Sequence, residues 1–123
     1  MHIFVYGSLK KGFSKHGLME GSELICRTRT RECFAMIDLH HFPGVLRDRQ
    51  VSPIYGEVYD ISSELLGKLD DYEGDWYYRE HVELESGLTA WMYFLREAPC
   101  SVEKCGTVTE GIWKEKPVEN KNA

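Results

Sequence analysis

The chain has 123 residues, of which 42% are hydrophobic and 28% charged, and this composition is typical of one ordinary globular domain. A chain of this length can bury a core without metals or disulfides as staples. Its formal net charge of -5 at pH 7 argues against a general nucleic-acid binder, whose binding face is normally basic.

The cysteines and the N-terminus bear on cellular location. No cysteine forms a Cys-x-x-Cys pair or lies at zinc-finger spacing from a histidine. The first apolar run stops after Tyr6, which is too short to span a bilayer, and no charged leader precedes it. We therefore expect a cytoplasmic protein without metal or membrane contact, in which four thiols are free: Cys26, Cys33, Cys100 and Cys105.

The first part of the chain predicts mainly strands. Residues 2–6 are largely β-branched and aromatic and end at a Gly-Ser pair, which indicates a buried strand followed by a tight loop. Residues 10–21 are polar and contain three glycines, so we expect a loop with at most one short helical turn. Two further strands are expected near 23–30 and 33–39.

A turn, a strand and a helix are predicted next. The Phe-Pro-Gly sequence at 42–44 predicts a turn. Residues 54–61 predict a strand, in which Gly56 indicates a bulge or a close approach of two backbones. Residues 62–72 predict a helix, because a serine can cap its start, leucines recur at helical spacing, and Gly74 can end it.

The last part of the chain returns to strands. Residues 78–85 alternate apolar and charged side chains, whereas 88–95 are apolar on both faces and should form a central strand. Residues 111–113 are expected to dock one last apolar anchor. We predict an α+β domain over 1–115, a curved, mainly antiparallel sheet or small barrel against one main helix, and a flexible, solvated tail at 116–123.

The junction after the first strand, Tyr6-Gly7-Ser8-Leu9, is the first candidate site. A glycine at the end of a strand lets the backbone approach a ligand closely. N–H groups that are left unpaired there can hold a carboxylate or an oxyanion. The alternative is an ordinary turn that binds nothing.

The acidic segment at the predicted end of the helix is the second candidate site. The negative end of the helix dipole, neighbouring carboxylates and packing against an aromatic ring all raise the pKa of a carboxyl group. A raised pKa suits a carboxyl group that transfers protons near neutral pH. The alternative is a solvated helix end. The segment contains four carboxylates and two aromatic rings: Asp70, Asp71, Tyr72, Glu73, Asp75 and Trp76.

Six short motifs follow one another along the chain: FVYGSLKKG (4–12), FPG (42–44), GEVYDI (56–61), LDDYEG (69–74), YYR (77–79) and AWMYFL (90–95). In this order they resemble the gamma-glutamylcyclotransferase family, including its AIG2-like and bacterial YtfP-like branches. The resemblance implies a small mixed β-barrel with helices packed outside and a cavity at the YGSL loop.

The resemblance also implies roles for individual residues. It implies that Glu73 is the catalytic acid/base, while helical spacing leads us to expect that Asp70 and Asp71 point elsewhere. It implies that the YGSL backbone holds the α-amino acid end of a γ-glutamyl group and that two aromatic side chains line the cavity. The substrate-binding residues implied in this way are Tyr6, Gly7, Ser8, Leu9, Tyr77 and Tyr93.

The implied reaction needs neither a metal nor an organic cofactor. The α-amine of a small γ-glutamyl substrate attacks its own γ-carbonyl, which releases 5-oxoproline and a free amine. The leaving amine stays open among a dipeptide, glutathione, a γ-glutamyl-lysine isopeptide and a polyamine. We expect a monomer. The alternative from another class is a non-catalytic binding module for a small acidic or γ-glutamyl metabolite.

Overall fold

Strands make up most of the regular structure in residues 1–98 and 106–115, which are the residues that the computed structural model describes. The elements are β1 (His2–Val5), β2 (Glu23–Arg29), β3 (Ala35–Asp38), β4 (Pro43–Leu46), β5 (Tyr55–Asp60), α1 (Ser63–Glu73), β6 (Tyr77–Glu83), β7 (Thr89–Leu95) and β8 (Thr107–Val108). Two short 3₁₀ helices lie at His16–Met19 and Gly74–Trp76.

The strands form two sheets. The larger has the order β2-β5-β1-β7-β6 and is antiparallel except where β1 runs parallel to β7. The smaller is antiparallel with the order β4-β3-β8. β1 is the middle strand of the larger sheet, and Ile3 and Phe4 are fully buried there. β7 lies inside the sheet as its two apolar faces predicted.

The predicted α+β class with one main helix is confirmed, but the sheets do not close into a barrel. The edge strands β2 and β6 meet through a single bridge, Thr30 to Leu84. The flanking bonds run from Arg31 N–H to the Glu83 carbonyl (3.1 Å) and from Glu85 N–H to the Arg29 carbonyl (2.9 Å). Both strands have ended by this bridge, and the described residues show no ladder of paired residues between the two edges.

The helix α1 follows from local signals. The Ser62 side chain accepts a hydrogen bond from Leu65 N–H (3.1 Å), which caps the first turn. Gly74 has φ of 70°, a conformation that glycine adopts without strain, and the helix ends there. Leu66 and Leu69 are buried against the larger sheet. This packing fixes the end of α1 beside the end of β1.

One predicted turn is a strand. Residues 42–44 were expected to turn, but Pro43 and Gly44 begin β4 and are buried. A Cβ on Gly44 would lie 2.3 Å from Leu95 Cδ1, so the missing side chain lets β4 pack against β7. The turn lies earlier, at His40, whose φ is 83° and whose N–H donates to Asp38 Oδ1 (2.7 Å).

Other predictions concern single residues. Gly56 marks a close backbone approach, as predicted, because a Cβ there would lie 2.3 Å from the carbonyl oxygen of Val5. Trp113 is the expected apolar anchor and is 3% exposed. Cys26 and Cys33 are free thiols. Among the described residues no helix has the length and apolar character needed to cross a bilayer.

Some predictions fall on residues that the structure does not describe. Cys100 and Cys105 lie outside the described residues, and so does the predicted tail at 116–123.

Candidate active site

A cavity of about 220 Å³ lies between the end of β1 and the last turn of α1. Its walls contain the seven residues that the sequence singled out as catalytic or substrate-binding, together with five others. The lining residues are Phe4, Val5, Tyr6, Gly7, Ser8, Leu9, Phe42, Pro43, Tyr72, Glu73, Tyr77 and Tyr93.

The loop after β1 keeps its shape through its carbonyl groups. The Gly7 carbonyl accepts a hydrogen bond from Lys10 N–H (3.1 Å), and the Ser8 carbonyl accepts one from Lys15 N–H (2.9 Å). Within the described part of the chain, the N–H groups of Gly7, Ser8 and Leu9 have no backbone acceptor. These N–H groups are therefore available to a carboxylate or an oxyanion.

Gly7 is required by close packing rather than by its backbone angles. It does not have a positive φ. A Cβ at Gly7 would instead lie 2.8 Å from Pro43 Cγ, at the start of β4. Strand β4, which the sequence did not predict, thus packs directly against the loop and contributes Pro43 to the cavity wall.

Glu73 is the last residue of α1, and its side chain is half-buried in the cavity wall. Burial raises the pKa of Glu73 to about 7. Among the described residues, none donates a hydrogen bond to its carboxylate or forms an ion pair with it. A carboxyl group without such partners is costly to ionise, so it can gain and lose a proton near neutral pH.

Four phenol groups surround this carboxyl group. Burial is the largest cause of the raised pKa of each phenol, and the nearby charge of Glu73 adds to it in all four: Tyr6, Tyr72, Tyr77 and Tyr93. Three of them donate their proton away from Glu73. The acceptors are the Tyr93 carbonyl for Tyr6 (2.9 Å), the Pro43 carbonyl for Tyr77 (3.1 Å) and Asp70 Oδ1 for Tyr93 (2.6 Å).

The cause of the raised pKa of Glu73 differs from the one that we expected. The neighbouring carboxylates and the helix dipole were expected to contribute, but burial is the cause that acts. Asp70 is neutralised by Arg79, whose guanidinium lowers the pKa of Asp70. Asp71 is exposed at the helix surface.

Asp70 does not line the cavity, in agreement with helical spacing, but it is joined to the cavity wall. Residues three apart on a helix lie on neighbouring positions of one face, and Asp70 reaches Tyr93 in the cavity wall. The sequence placed Arg79 in the YYR motif but did not identify its partner, which is Asp70, bound through two hydrogen bonds (2.8 and 3.1 Å). A signal was present, because Arg79 follows Tyr77 by two residues and therefore shares its face of β6.

Within residues 1–98 and 106–115, no group of three or more His, Cys, Asp or Glu side chains is arranged to hold a metal ion.

Comparisons with known proteins agree with one another. The model of the family described as "Gamma-glutamyl cyclotransferase, AIG2-like" matches residues 3–115. A Methanocaldococcus jannaschii protein named "Putative gamma-glutamylcyclotransferase" is 37% identical over 116 residues, which cover 89% of this chain and 91% of that protein. A Danio rerio protein named gamma-glutamylaminecyclotransferase C is 36% identical over 97 residues. This match covers 68% of this chain and 62% of the Danio rerio protein.

A solved structure matches almost the whole chain. The crystal structure of an AIG2-like protein from Mus musculus superimposes with a TM-score of 0.77 at 25% identity. The match covers 98% of this chain and 97% of that one.

Proposed function

The chain belongs to the gamma-glutamyl cyclotransferase, AIG2-like family, and on this premise we propose that it is an enzyme that cyclises small γ-glutamyl amines. The substrate's α-amine attacks its own γ-carbonyl carbon, and the bond from that carbon to the leaving nitrogen breaks. The products are 5-oxoproline and a free amine. The observation that carries the proposal is Glu73, a half-buried carboxyl group with a pKa of about 7 that lines one cavity together with the Tyr6–Leu9 loop.

The loop binds the substrate in this proposal. The N–H groups of Gly7, Ser8 and Leu9 hold the α-carboxylate or the oxyanion that develops on the γ-carbonyl oxygen. Tyr77 and Tyr93 line the cavity around the γ-glutamyl chain. Because the nucleophile belongs to the substrate itself, the enzyme gains rate by folding the substrate so that the amine lies close to the carbonyl carbon.

Glu73 moves the proton. Its carboxylate accepts a proton from the attacking α-amine, and its carboxylic acid then returns one to the departing nitrogen, so that Glu73 ends the cycle ionised. The pKa of about 7 suits both halves of this cycle, since both protonation states are accessible near neutral pH. The proposal uses neither a metal nor an organic cofactor.

The proposal is tested by incubating the protein with a panel of γ-glutamyl amines and detecting 5-oxoproline by mass spectrometry. The panel contains a γ-glutamyl dipeptide, glutathione, the γ-glutamyl-lysine isopeptide and a γ-glutamyl polyamine. We expect 5-oxoproline and the matching free amine in equal amounts from at least one member. If no member is converted although one or more bind, the protein is a non-catalytic binding module instead.

A further inference from the structure

Asp70 links Tyr93, in the cavity wall, to the guanidinium group of Arg79. Neither Asp70 nor Arg79 has a role in the reaction proposed above. The Asp70 carboxylate accepts two hydrogen bonds from Arg79, from Nε to Oδ1 (2.8 Å) and from Nη2 to Oδ2 (3.1 Å). Its Oδ1 also accepts the hydroxyl proton of Tyr93 at 2.6 Å. Arg79 is held from its other side, because its guanidinium lies over the Trp91 ring (4.3 Å).

The bond between Tyr93 and Asp70 decides what the phenol offers to the cavity. A phenol has one proton, so the Tyr93 oxygen that donates it to Asp70 keeps only lone pairs for other partners. Such an oxygen can accept a hydrogen bond from an amine but cannot donate one to a carboxylate. Tyr93 and Glu73 line the same cavity, and the charge of Glu73 adds to burial and the bond to Asp70 in raising the pKa of Tyr93.

We propose that Asp70 is a positioning residue: it accepts the Tyr93 proton, presents the Tyr93 oxygen to the substrate amine as an acceptor, and keeps that hydroxyl from donating to Glu73. The part that concerns the substrate amine rests on the function proposed above. The part that concerns Glu73 is a property of the free protein.

Two of the other phenols that face Glu73 donate elsewhere, and Tyr72, on the same helix as Glu73, is present unchanged in every variant compared below. In the loop after β1, Tyr6 donates to the Tyr93 carbonyl. On β6, Tyr77 donates to the Pro43 carbonyl, and Arg79 is paired with Asp70. On β7, Tyr93 donates its hydroxyl proton to Asp70, so Asp70 determines where that proton points.

The experiment measures the titration of the Glu73 side-chain carboxyl group by ¹³C NMR in the substrate-free protein. Four proteins are compared: wild type, Asp70→Ala, Tyr93→Phe and the double variant. Asp71→Ala is the matched control, since it removes a carboxylate from the exposed face of the same helix turn. The released Tyr93 hydroxyl can then donate to the Glu73 carboxylate, and a donor to the charged form lowers the pKa.

The double variant separates this effect from simple electrostatics. Asp70→Ala leaves the Arg79 charge unpaired, which lowers the pKa of Glu73 with or without Tyr93. We expect the downward shift caused by Asp70→Ala to be about one pH unit larger when Tyr93 is present than when it is Phe. Equal shifts in the two backgrounds would show that Asp70 does not act through Tyr93. Asp71→Ala should leave the titration unchanged.

Two further measurements keep the outcomes distinct. If Asp70→Ala does not fold, Asp70→Leu gives the same comparison with the size of the side chain nearly retained and without an acceptor for the Tyr93 proton. The acid limb of the pH profile of kcat/KM should shift in the same direction as the NMR titration. A wild-type protein that makes no 5-oxoproline would refute the proposed function, whereas the NMR comparison would still decide the role of Asp70.

Discussion

The burial of Glu73 predicts how turnover depends on pH. The carboxylate must be ionised to accept a proton from the substrate amine, and its pKa is about 7. The value of kcat/KM should therefore rise tenfold per pH unit below 7 and level off above it. Initial rates of 5-oxoproline formation between pH 5 and 9 measure this. An acid limb near pH 4.5, the ordinary value for a glutamate, would contradict the prediction.

The same burial predicts a pH-dependent gain in stability for Glu73→Gln. Because the pKa is higher in the folded protein than in the unfolded chain, the unfolded chain ionises first as pH rises from about 4.5 to 7. Wild-type stability is thus lost through this window and stays low above it. Glu73→Gln should match wild type at pH 4 and exceed it by about 2–3 kcal/mol at pH 8.

Urea unfolding of both proteins at pH 4 and pH 8 measures this difference. Groups other than Glu73 titrate equally in the two proteins and cancel in the comparison. A variant that is no more stable than wild type at pH 8 would show that the ionised Glu73 carboxylate does not destabilise the folded protein.

The loop after β1 predicts opposite sensitivities at neighbouring residues. Gly7→Val should abolish most activity, because even a Cβ would lie 2.8 Å from Pro43 Cγ and would displace the loop. Ser8→Ala should lose about tenfold or less, since the loop binds through its backbone and one hydrogen bond is worth about 1 kcal/mol. The kcat/KM values of the two folded variants, each compared with wild type, test this prediction. An inactive Ser8→Ala beside an active Gly7→Val would make the hydroxyl a nucleophile.

At the scale of elements, two glycines predict opposite effects of the same change. Gly56→Ala places a Cβ 2.3 Å from the Val5 carbonyl oxygen, so β5 must move away from β1 and stability should fall by several kcal/mol. Gly67→Ala, in the exposed middle of α1, meets nothing within 4 Å and should gain about 0.5–1 kcal/mol. Thermal melts of both variants test this, and a tolerated Gly56→Ala would mean that the two strands are not held so closely.

The elements that could be predicted are those with local causes. The helix was predicted within one residue at each end, because its cap at Ser62 and its end at Gly74 are encoded where they occur. Strand β4 was missed because Pro43 and Gly44 favour a turn locally. Its burial depends on Leu95, which is distant in sequence. The network of Asp70, Tyr93 and Arg79 was missed for the same reason, since it joins three elements.

At the scale of the whole molecule, the seven proposed site residues line one cavity. The Tyr6–Leu9 loop and the segment that contains Glu73 were singled out from the residues themselves, whereas Tyr77 and Tyr93 came through the resemblance. Barrel closure could not be predicted, because it depends on whether two edge strands remain side by side beyond the Thr30–Leu84 bridge. The Tyr93 proton could not be assigned from sequence either, since a periodic pattern places a side chain on a face but does not name its hydrogen-bond partner.

The C-terminal segment predicts where the domain ends. Trp113 is buried in the main core, and its carbonyl accepts a hydrogen bond from Lys10 Nζ (3.0 Å). A chain shortened to end at Glu115 should melt as the full chain does, whereas one ending at Glu110 should lose about 3–5 kcal/mol with the tryptophan. Urea unfolding compares them. Equal stability of the two shortened chains would place the boundary of the domain before Trp113.

The most direct test of the whole account compares 5-oxoproline formation by wild type and Glu73→Gln under identical conditions. Glutamine keeps the size and shape of the side chain but cannot transfer the proton, so turnover should fall roughly 10²–10⁴-fold. Thermal melts and binding of 5-oxoproline should show a folded variant with an intact loop. A folded Glu73→Gln protein with wild-type turnover would contradict the account.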